Sequence, residues 1–239
     1  MSNNQYHWRP WHLDEAHHAT NWAGRMMART IKRRDPNKPS FWYLGFRHPH
    51  PPLVPPQAYV DLYHYIEIDK PYVGNWTKDE LPFAVEALKA RTTLYTDSQL
   101  MEAKRAFYSL CTQIDHQIRY LIGTLRLEGL LDDTIIMFPS VHGEMLGNHD
   151  MLAKRVFYES SANIPLILMP NKGNSSLPEG EVDDRLVGFA DIMPTLLDLC
   201  DIEIPDTVDG CSILSAKRHH IYGECGEDDH ASRMIRTDR

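Results

Sequence analysis

A loop rich in histidine and glycine follows a short apolar run near the middle of the chain. The run Thr134–Phe138 has the β-branched composition of a strand, and the loop after it, residues 139–155, holds two histidines, two glycines and a lysine. Imidazole and ammonium groups gathered at a strand end can surround an anion. The loop is therefore a candidate anion site, and a polar surface loop with scattered histidines is the alternative.

Another histidine, His50, lies in a segment that proline makes stiff. Residues 48–56 contain five prolines, so they can form neither a helix nor a strand ladder. The run before them, Ser40–Phe46, is short and apolar throughout, which predicts a strand covered on both faces. Because ligands of α/β sheets lie beyond the carboxyl ends of strands, we expect His50, His142 and Lys154 to converge at one edge of a sheet. The alternative for His50 is a loop histidine that serves only a turn.

The spacing of residues in the loop 139–155 resembles a motif of the type I sulfatases, a branch of the alkaline-phosphatase superfamily. The family pattern is Ser-Asp-His-Gly-Glu-x-x-Gly-x-His-Gly-x-x-x-Lys. The chain matches this pattern at Ser140, His142, Gly143, Glu144, Gly147, His149 and Lys154. Segments 38–56, 189–199, 204–210 and 234–239 are also similar to family segments in the same order, so the resemblance covers nearly the whole chain.

The resemblance implies hydrolysis of a small-molecule sulfate ester at a site with a divalent metal, usually calcium. It implies His50 and Lys154 as catalytic residues, His50 donating a proton or hydrogen bond beside the sulfate and Lys154 binding the sulfate oxygens. It places His142 as a metal ligand and makes His149 a candidate substrate-binding residue. Two alternatives stay open: Lys154 as a solvated cation beside Arg155, and His149 as a residue that only braces the loop by hydrogen bonding.

The sequence departs from the family at the metal and at the nucleophile. Val141 replaces an Asp metal ligand, and an isopropyl group cannot coordinate a hard cation, so we expect poor metal affinity; Asp150, where the family has Gly, is the neighbouring carboxylate that could substitute. The family nucleophile is a Cys or Ser in Cys/Ser-x-Pro-x-Arg that becomes formylglycine, and none of the four cysteines is followed by that pattern. No early strand ends in paired Asp residues either. We therefore predict a partial sulfatase domain over residues 1–239 that hydrolyses no sulfate ester alone.

Alternating helix and strand patterns predict an α/β fold. Periodic apolar residues predict helices over Glu15–Arg34, Ser98–Leu127 and Ala190–Cys200. Apolar runs predict further strands at Ile164–Met169 and His220–Glu224. Together with the resemblance, this order predicts an alkaline-phosphatase-like fold, with a largely parallel sheet flanked by helices and incomplete at both ends. Residues 57–96 have a weak pattern and are interpreted as an excursion over the surface.

Composition narrows the class of partner. The chain of 239 residues is 42% hydrophobic, enough for one α/β domain, and its net charge of −8 argues against a nucleic-acid partner. No stretch approaches the roughly 20 apolar residues of a membrane span and no signal peptide is seen, so we expect no membrane partner and a cytoplasmic location. The four cysteines form no CxxC pair and are expected to be free thiols.

Three classes of function stay open at this point. The leading one is a sulfatase, and a phosphodiesterase or phosphonate hydrolase of the same superfamily is the catalytic alternative. The third is a non-catalytic fragment that acts as a binding module. If strands are missing from the sheet, an exposed edge also predicts self-association.

Overall fold

The chain divides into two compact units. The computed structural model describes residues 5–78, 80–174, 176–215, 218–227 and 231–237. The first unit is drawn from Met1–Glu80, Leu88–Asp132 and Leu146–Leu152, and the second from Leu81–Ala87, Asp133–Met145 and Ala153–Arg239. The helices are α1 (Ala19–Lys32), α2 (Gln57–Asp61), α3 (Phe83–Thr92), α4 (Asp97–Leu127), α5 (Glu159–Ala162) and α6 (Ile192–Leu199). Short 3-10 helices occur at Glu15–His17, Asn75–Lys78, Leu131–Asp133, Asn148–Asp150 and Phe189–Asp191.

The three predicted helices are confirmed. The first consists of a 3-10 turn and α1, the second is α4, and the third is a 3-10 turn and α6. A capping box starts α4: the Thr96 hydroxyl accepts a hydrogen bond from the Gln99 amide at 3.3 Å, and Gln99 Oε1 accepts one from the Thr96 amide at 2.9 Å. Within the described residues, no helix combines the length and the apolar character needed to cross a membrane.

Helix α4 carries the core of the first unit. Its buried apolar face forms one cluster with residues from three other segments, and the members are Tyr6, Leu53, Leu100, Ala103, Ala106, Leu110, Leu146 and Leu152. Leu53 belongs to the proline-rich loop after His50 and is fully buried, while Leu146 and Leu152 bracket His149. The same helix face therefore anchors the two loops that carry His50 and His149.

Helix α1 packs on α4 through small and polar residues. A Cβ atom on Gly24 would lie 2.5 Å from Gln117 Oε1, so glycine allows the close approach of the two helices. The His18 imidazole caps α1 by accepting a hydrogen bond from the Thr20 amide at 3.2 Å. Gln113 of α4 donates to His18 Nδ1 at 3.0 Å, so a polar network is buried where the helices meet.

The described strands lie in the second unit and pair in two antiparallel sheets of two strands each. Strand β1 (Ile136–Pro139) pairs with β2 (Leu166–Met169), with Ile136 opposite Met169. Strand β3 (His220–Cys225) pairs with β4 (Ser232–Thr237), with Tyr222 opposite Ile235. The strands predicted at Thr134–Phe138, Ile164–Met169 and His220–Glu224 are thus confirmed as β1, β2 and β3. No parallel pair occurs among the described strands, whereas a largely parallel sheet was predicted. Strand direction depends on the partner strand, which a local apolar pattern does not encode.

The strand predicted at Ser40–Phe46 is wrong in the described structure. The segment is extended, but it joins no ladder, and Phe41 and Tyr43 are each 80% exposed. Trp42 and Leu44 are partly buried, so exposure alternates along the segment instead of being low on both faces. A strand needs hydrogen-bonding neighbours, and apolar composition alone does not supply them.

Residues 57–96, the expected surface excursion, contain regular structure. They include α2, α3 and the turn Asn75–Lys78, with Tyr59, Val60 and Thr77 buried. Residues 72–74 hydrogen-bond to Asn148 and His149, as described below. This excursion therefore contributes to the surroundings of one predicted site residue.

Candidate active site

The histidine–glycine loop has an unusual backbone. Five residues other than glycine have positive φ angles: Leu146 (46°), His149 (56°), Asp150 (60°), Ala153 (72°) and Arg155 (82°). Such left-handed conformations are unfavourable for L residues and persist only where the surroundings impose them. Backbone strain of this kind is concentrated at functional sites, so the conformation supports a functional role for this loop.

Residues 143–145 hold the loop closed. The Glu144 carboxylate accepts a hydrogen bond from the Ala153 amide at 2.6 Å, and the Met145 amide donates to the Ala153 carbonyl at 2.9 Å. Glu144 therefore fixes Ala153, the residue that precedes Lys154. Lys154 itself is half-buried. The sequence analysis matched Glu144 to the family pattern but gave it no role. That match was the only sign in the sequence that Glu144 is important for the loop.

Gly143 is required by a close backbone approach. Its amide donates to the Ser161 carbonyl at 2.8 Å, and the Glu144 amide donates to the Ser160 carbonyl at 2.7 Å. A Cβ atom on Gly143 would lie 2.1 Å from the Ser160 carbonyl oxygen, well inside van der Waals contact. The second glycine of the motif, Gly147, has φ of 90°, a conformation that glycine adopts without a steric cost.

The hydrogen bonds of His142 and His50 assign the same tautomer to both. His142 Nδ1 lies 2.8 Å from the Gly143 carbonyl oxygen, and His50 Nδ1 lies 2.8 Å from the Pro51 carbonyl oxygen. A carbonyl only accepts, so each Nδ1 carries a proton, and Nε2 of the neutral ring carries the lone pair. That tautomer suits metal ligation by His142 and proton exchange at Nε2 of His50.

His149 is braced by the excursion. Its backbone amide donates to the Tyr72 carbonyl at 2.7 Å, and its Nδ1 accepts a hydrogen bond from the Gly74 amide at 3.2 Å. Its ring lies 4.8 Å from the Trp76 ring and 5.4 Å from the Tyr72 ring, measured between centroids. His149 is thus observed to brace the loop by hydrogen bonding; whether it only braces the loop or also contacts substrate is untested, and the substrate contact stays a prediction.

Two buried histidines that the sequence did not identify support the His50 loop. His48 is 8% exposed, its ring lies 4.7 Å from that of His18, and its Nδ1 shares a hydrogen bond of 3.1 Å with the Thr20 hydroxyl. Burial, with further contributions from His18, Arg47 and His50, lowers the pKa of His48 to about 4. Burial also lowers the pKa of His18. The only sequence signal for this pair was the abundance of histidine.

The four predicted site residues are divided between the two units. His50 and His149 belong to the first unit, and His142 and Lys154 belong to the second. The convergence of His50, His142 and Lys154 stays a prediction.

Solved structures define the class of fold. A protein crystallised with its substrate D-glucosamine-2-N,6-O-disulfate aligns with a TM-score of 0.76 at 19% identity, over 92% of this chain and 59% of that one. A phosphonate monoester hydrolase from Silicibacter pomeroyi aligns with a TM-score of 0.74 at 23% identity, over 94% of this chain and 50% of that one. These similarities establish the predicted alkaline-phosphatase-like α/β fold.

Sequence comparison then defines the family. Residues 2–202 match the sulfatase family, and the chain is 35% identical to an arylsulfatase of Clostridium perfringens over 241 residues, which cover 97% of this chain and 50% of that protein. It is 29% identical to a choline-sulfatase of Rhizobium meliloti, over 80% of this chain and 38% of that protein. The chain belongs to the sulfatase family. It spans half or less of the length of these two relatives.

Membership of this family points to a divalent metal cofactor. Among the residues that the structure describes, no group of three or more His, Cys, Asp or Glu side chains is arranged to hold a metal ion. Val141, at the position of the family's Asp, is 70% exposed and offers no donor atom. His142 has a suitable tautomer, but the described residues do not fit a complete metal centre.

Proposed function

We propose that this chain supplies the sulfate-binding and leaving-group part of a sulfate-ester hydrolase site, and that it does not complete a catalytic cycle alone. The observation that carries the proposal is the loop of residues 146–155, in which five residues other than glycine have positive φ angles. The carboxylate of Glu144 holds the amide of Ala153, directly before Lys154. The two glycines of the motif, Gly143 and Gly147, lie where a Cβ atom would clash.

Each predicted residue has a chemical role in this proposal. The Lys154 ammonium binds anionic sulfate oxygens, and the Nε2–H group of His149 is a hydrogen-bond donor for an anionic oxygen. His50 in its imidazolium form passes the Nε2 proton to the oxygen of the departing alcohol. The divalent metal would be calcium, with His142 as one ligand; no group of three or more His, Cys, Asp or Glu side chains among the described residues would complete its coordination.

A sulfate ester of a small molecule is the proposed substrate class. The sulfated glucosamine in one structure of the same fold supports this class, as do the names of the arylsulfatase and choline-sulfatase relatives. The second candidate is a phosphonate monoester, which is favoured by the similarity to the phosphonate monoester hydrolase over 94% of this chain. Both substrates present an anionic tetrahedral centre to the same donors.

A comparison of four proteins tests this proposal. The chain is prepared with Val or Asp at position 141, and each form is made alone and fused to the half of the Clostridium perfringens arylsulfatase that the chain does not match. All four are assayed with an aryl sulfate and an aryl phosphonate monoester in added calcium. We expect hydrolysis only in the fused Val141→Asp protein, because a nucleophile and an oxygen ligand are both needed.

Two controls make the outcome specific. Lys154→Ala in the active fusion should abolish turnover of the sulfate ester, whereas Arg155→Ala, at the exposed neighbouring cation, should retain it. Metal-dependent hydrolysis by the unmodified chain would contradict the proposal. Faster hydrolysis of the phosphonate ester than of the sulfate ester by the active fusion would favour the second candidate.

A further inference from the structure

A short strap of the excursion, residues 72–76, crosses the loop that contains His149. The Tyr72 amide donates to Asn148 Oδ1 at 3.0 Å, the His149 amide donates to the Tyr72 carbonyl at 2.7 Å, and the Gly74 amide donates to His149 Nδ1 at 3.2 Å. These three hydrogen bonds fix both the backbone and the ring of His149 against the strap.

The strap assigns the opposite tautomer to His149. An amide N–H only donates, so Nδ1 of His149 must accept without a proton, and the neutral ring carries its proton on Nε2. His142 and His50 face carbonyl oxygens through Nδ1 and therefore have the lone pair on Nε2. Of these three rings, His149 is thus the one suited to donate a hydrogen bond from Nε2, and it is unsuited to bind a metal ion there.

Aromatic contacts fix the plane of the His149 ring. The Trp76 ring lies tilted at 41° to the imidazole, and the Tyr72 ring meets it at 82°, edge to face. Gly74 permits the Trp76 position, because a Cβ atom there would lie 2.5 Å from Trp76 Nε1. Rotation of the imidazole by 180° about the Cβ–Cγ bond would keep the ring in this plane but would replace Nδ1 by a carbon atom opposite the Gly74 amide, so that hydrogen bond selects the orientation.

We propose that Tyr72, Gly74 and Trp76 are positioning residues that hold His149 as its Nε2–H tautomer, so that it donates a hydrogen bond to a tetrahedral oxyanion and does not bind the metal. The identity of the anion as sulfate rests on the proposed function. The tautomer rests only on the contacts of the strap. The excursion is therefore part of the anion-binding apparatus.

The tautomer can be measured directly in the whole chain. A long-range ¹H–¹⁵N correlation spectrum of the imidazole rings distinguishes protonated from unprotonated nitrogen, and His149→Gln identifies the signals of His149. In the neutral form of each ring, we expect an unprotonated Nδ1 and a protonated Nε2 in His149, and the reverse in His142 and His50. A protonated Nδ1 in His149 would overturn the proposal.

Variants of the strap test the cause. Gly74→Pro removes the amide donor, and Trp76→Ala removes the ring contact without altering the backbone donor; each should produce a mixture of His149 tautomers. Tyr72→Phe retains the ring and the backbone bonds and should leave the tautomer unchanged. If Gly74→Pro does not fold, as judged by its amide spectrum, Trp76→Ala still decides the point. An unchanged His149 spectrum in folded Trp76→Ala protein would overturn the role of the strap.

A titration with inorganic sulfate separates this proposal from the proposed function. We expect sulfate to shift the His149 Nε2–H signal. We expect Trp76→Ala to weaken sulfate binding by roughly twofold if half of the His149 rings adopt the other tautomer, because only the Nε2–H form donates to the anion. The expected tautomer without any response to sulfate would refute the anion role and the proposed function at this residue. A response to sulfate from the wrong tautomer would refute the positioning role alone.

Discussion

At the scale of single residues, the backbone explains one departure from the family pattern. Asp150 occupies a position where the related sulfatase pattern has glycine, and its φ angle is 60°. Glycine adopts this conformation without the steric cost that an L side chain carries. The family's glycine is therefore a conformational requirement, and Asp150 is a strained substitute whose carboxylate belongs to no metal-binding group of the described residues.

Replacing this residue should stabilise the protein. We expect Asp150→Gly to raise the free energy of unfolding by about 0.5–1 kcal/mol, because relief of the left-handed strain exceeds the added entropy of the unfolded chain. Urea denaturation measures the difference. Asp115→Gly, at an exposed site within α4, is the matched control and should lower stability by about 0.3 kcal/mol. Equal destabilisation by both substitutions would contradict this explanation.

The buried His48 should make stability depend on pH. Its pKa in the folded state is about 4, against an ordinary value of 6.5, so the unfolded chain binds more protons between these values. Stability is therefore full above about pH 6.5 and falls as the pH is lowered towards 4, by on the order of 3 kcal/mol for this one group. The lowered pKa of His18 acts in the same direction.

Urea denaturation at pH 7 and at pH 4.5 tests the effect. His48→Gln should reduce the loss of stability between these pH values, leaving the part due to His18. His17→Gln, at the exposed histidine beside His18, should leave the loss unchanged. A loss of the same size in His48→Gln and in the unmodified chain would show that other groups cause it.

The sequence predicted the residues of the motif better than their supports. The spacing of His142, His149 and Lys154 is local and could be compared with a family pattern. The supports of the site loops come from distant segments: Gly74 lies 75 residues from His149, and Thr20 lies 28 residues from His48. Their partners depend on tertiary packing, which local spacing does not encode.

At the scale of secondary structure, the helices were predictable and one strand was not. Helix α4 has its apolar face and its capping box within its own sequence, so the pattern suffices. Ser40–Phe46 is equally apolar, but a strand is completed by neighbouring strands that can be distant in sequence, and no described residue pairs with it. The direction of the β1–β2 pair was missed for the same reason.

Two glycines in different elements should respond oppositely to alanine. Gly143→Ala places a Cβ atom 2.1 Å from the Ser160 backbone oxygen and should lower the free energy of unfolding by about 2–3 kcal/mol. Gly123→Ala, in α4 with no atom within 4 Å of the new Cβ, should raise it by about 0.5–1 kcal/mol. Thermal unfolding of both variants gives the comparison. A tolerated Gly143→Ala would refute the close contact between residues 143 and 160.

At the scale of the whole molecule, exposed aromatic side chains on one extended segment favour self-association. Phe41 and Tyr43 are 80% exposed on an extended segment whose backbone groups join no ladder of the described residues. Extended edges of this kind recruit further strands. We expect the chain to self-associate in a concentration-dependent way, with this segment as the contact.

Sedimentation velocity at several concentrations tests self-association. The double variant Phe41→Ser with Tyr43→Ser should shift the distribution towards monomer. Tyr65→Ser, at a 95% exposed aromatic residue in a turn, is the matched control and should leave the distribution unchanged. A monodisperse unmodified chain, or an equal effect of the control, would contradict the assignment of this segment.

The loops that carry His50 and His149 share the apolar cluster on α4, so we expect them to unfold locally together. Leu53 follows His50, Leu152 follows His149, and both are buried in the cluster with Leu110. Regions that share a core open together, with one free energy, in native-state hydrogen exchange. The amides of Trp11, which donates to the Pro55 carbonyl, and of His149 should therefore exchange with similar protection. Leu110→Ala should lower the protection of both amides by the same factor, and an effect on only one of them would show that the loops open independently.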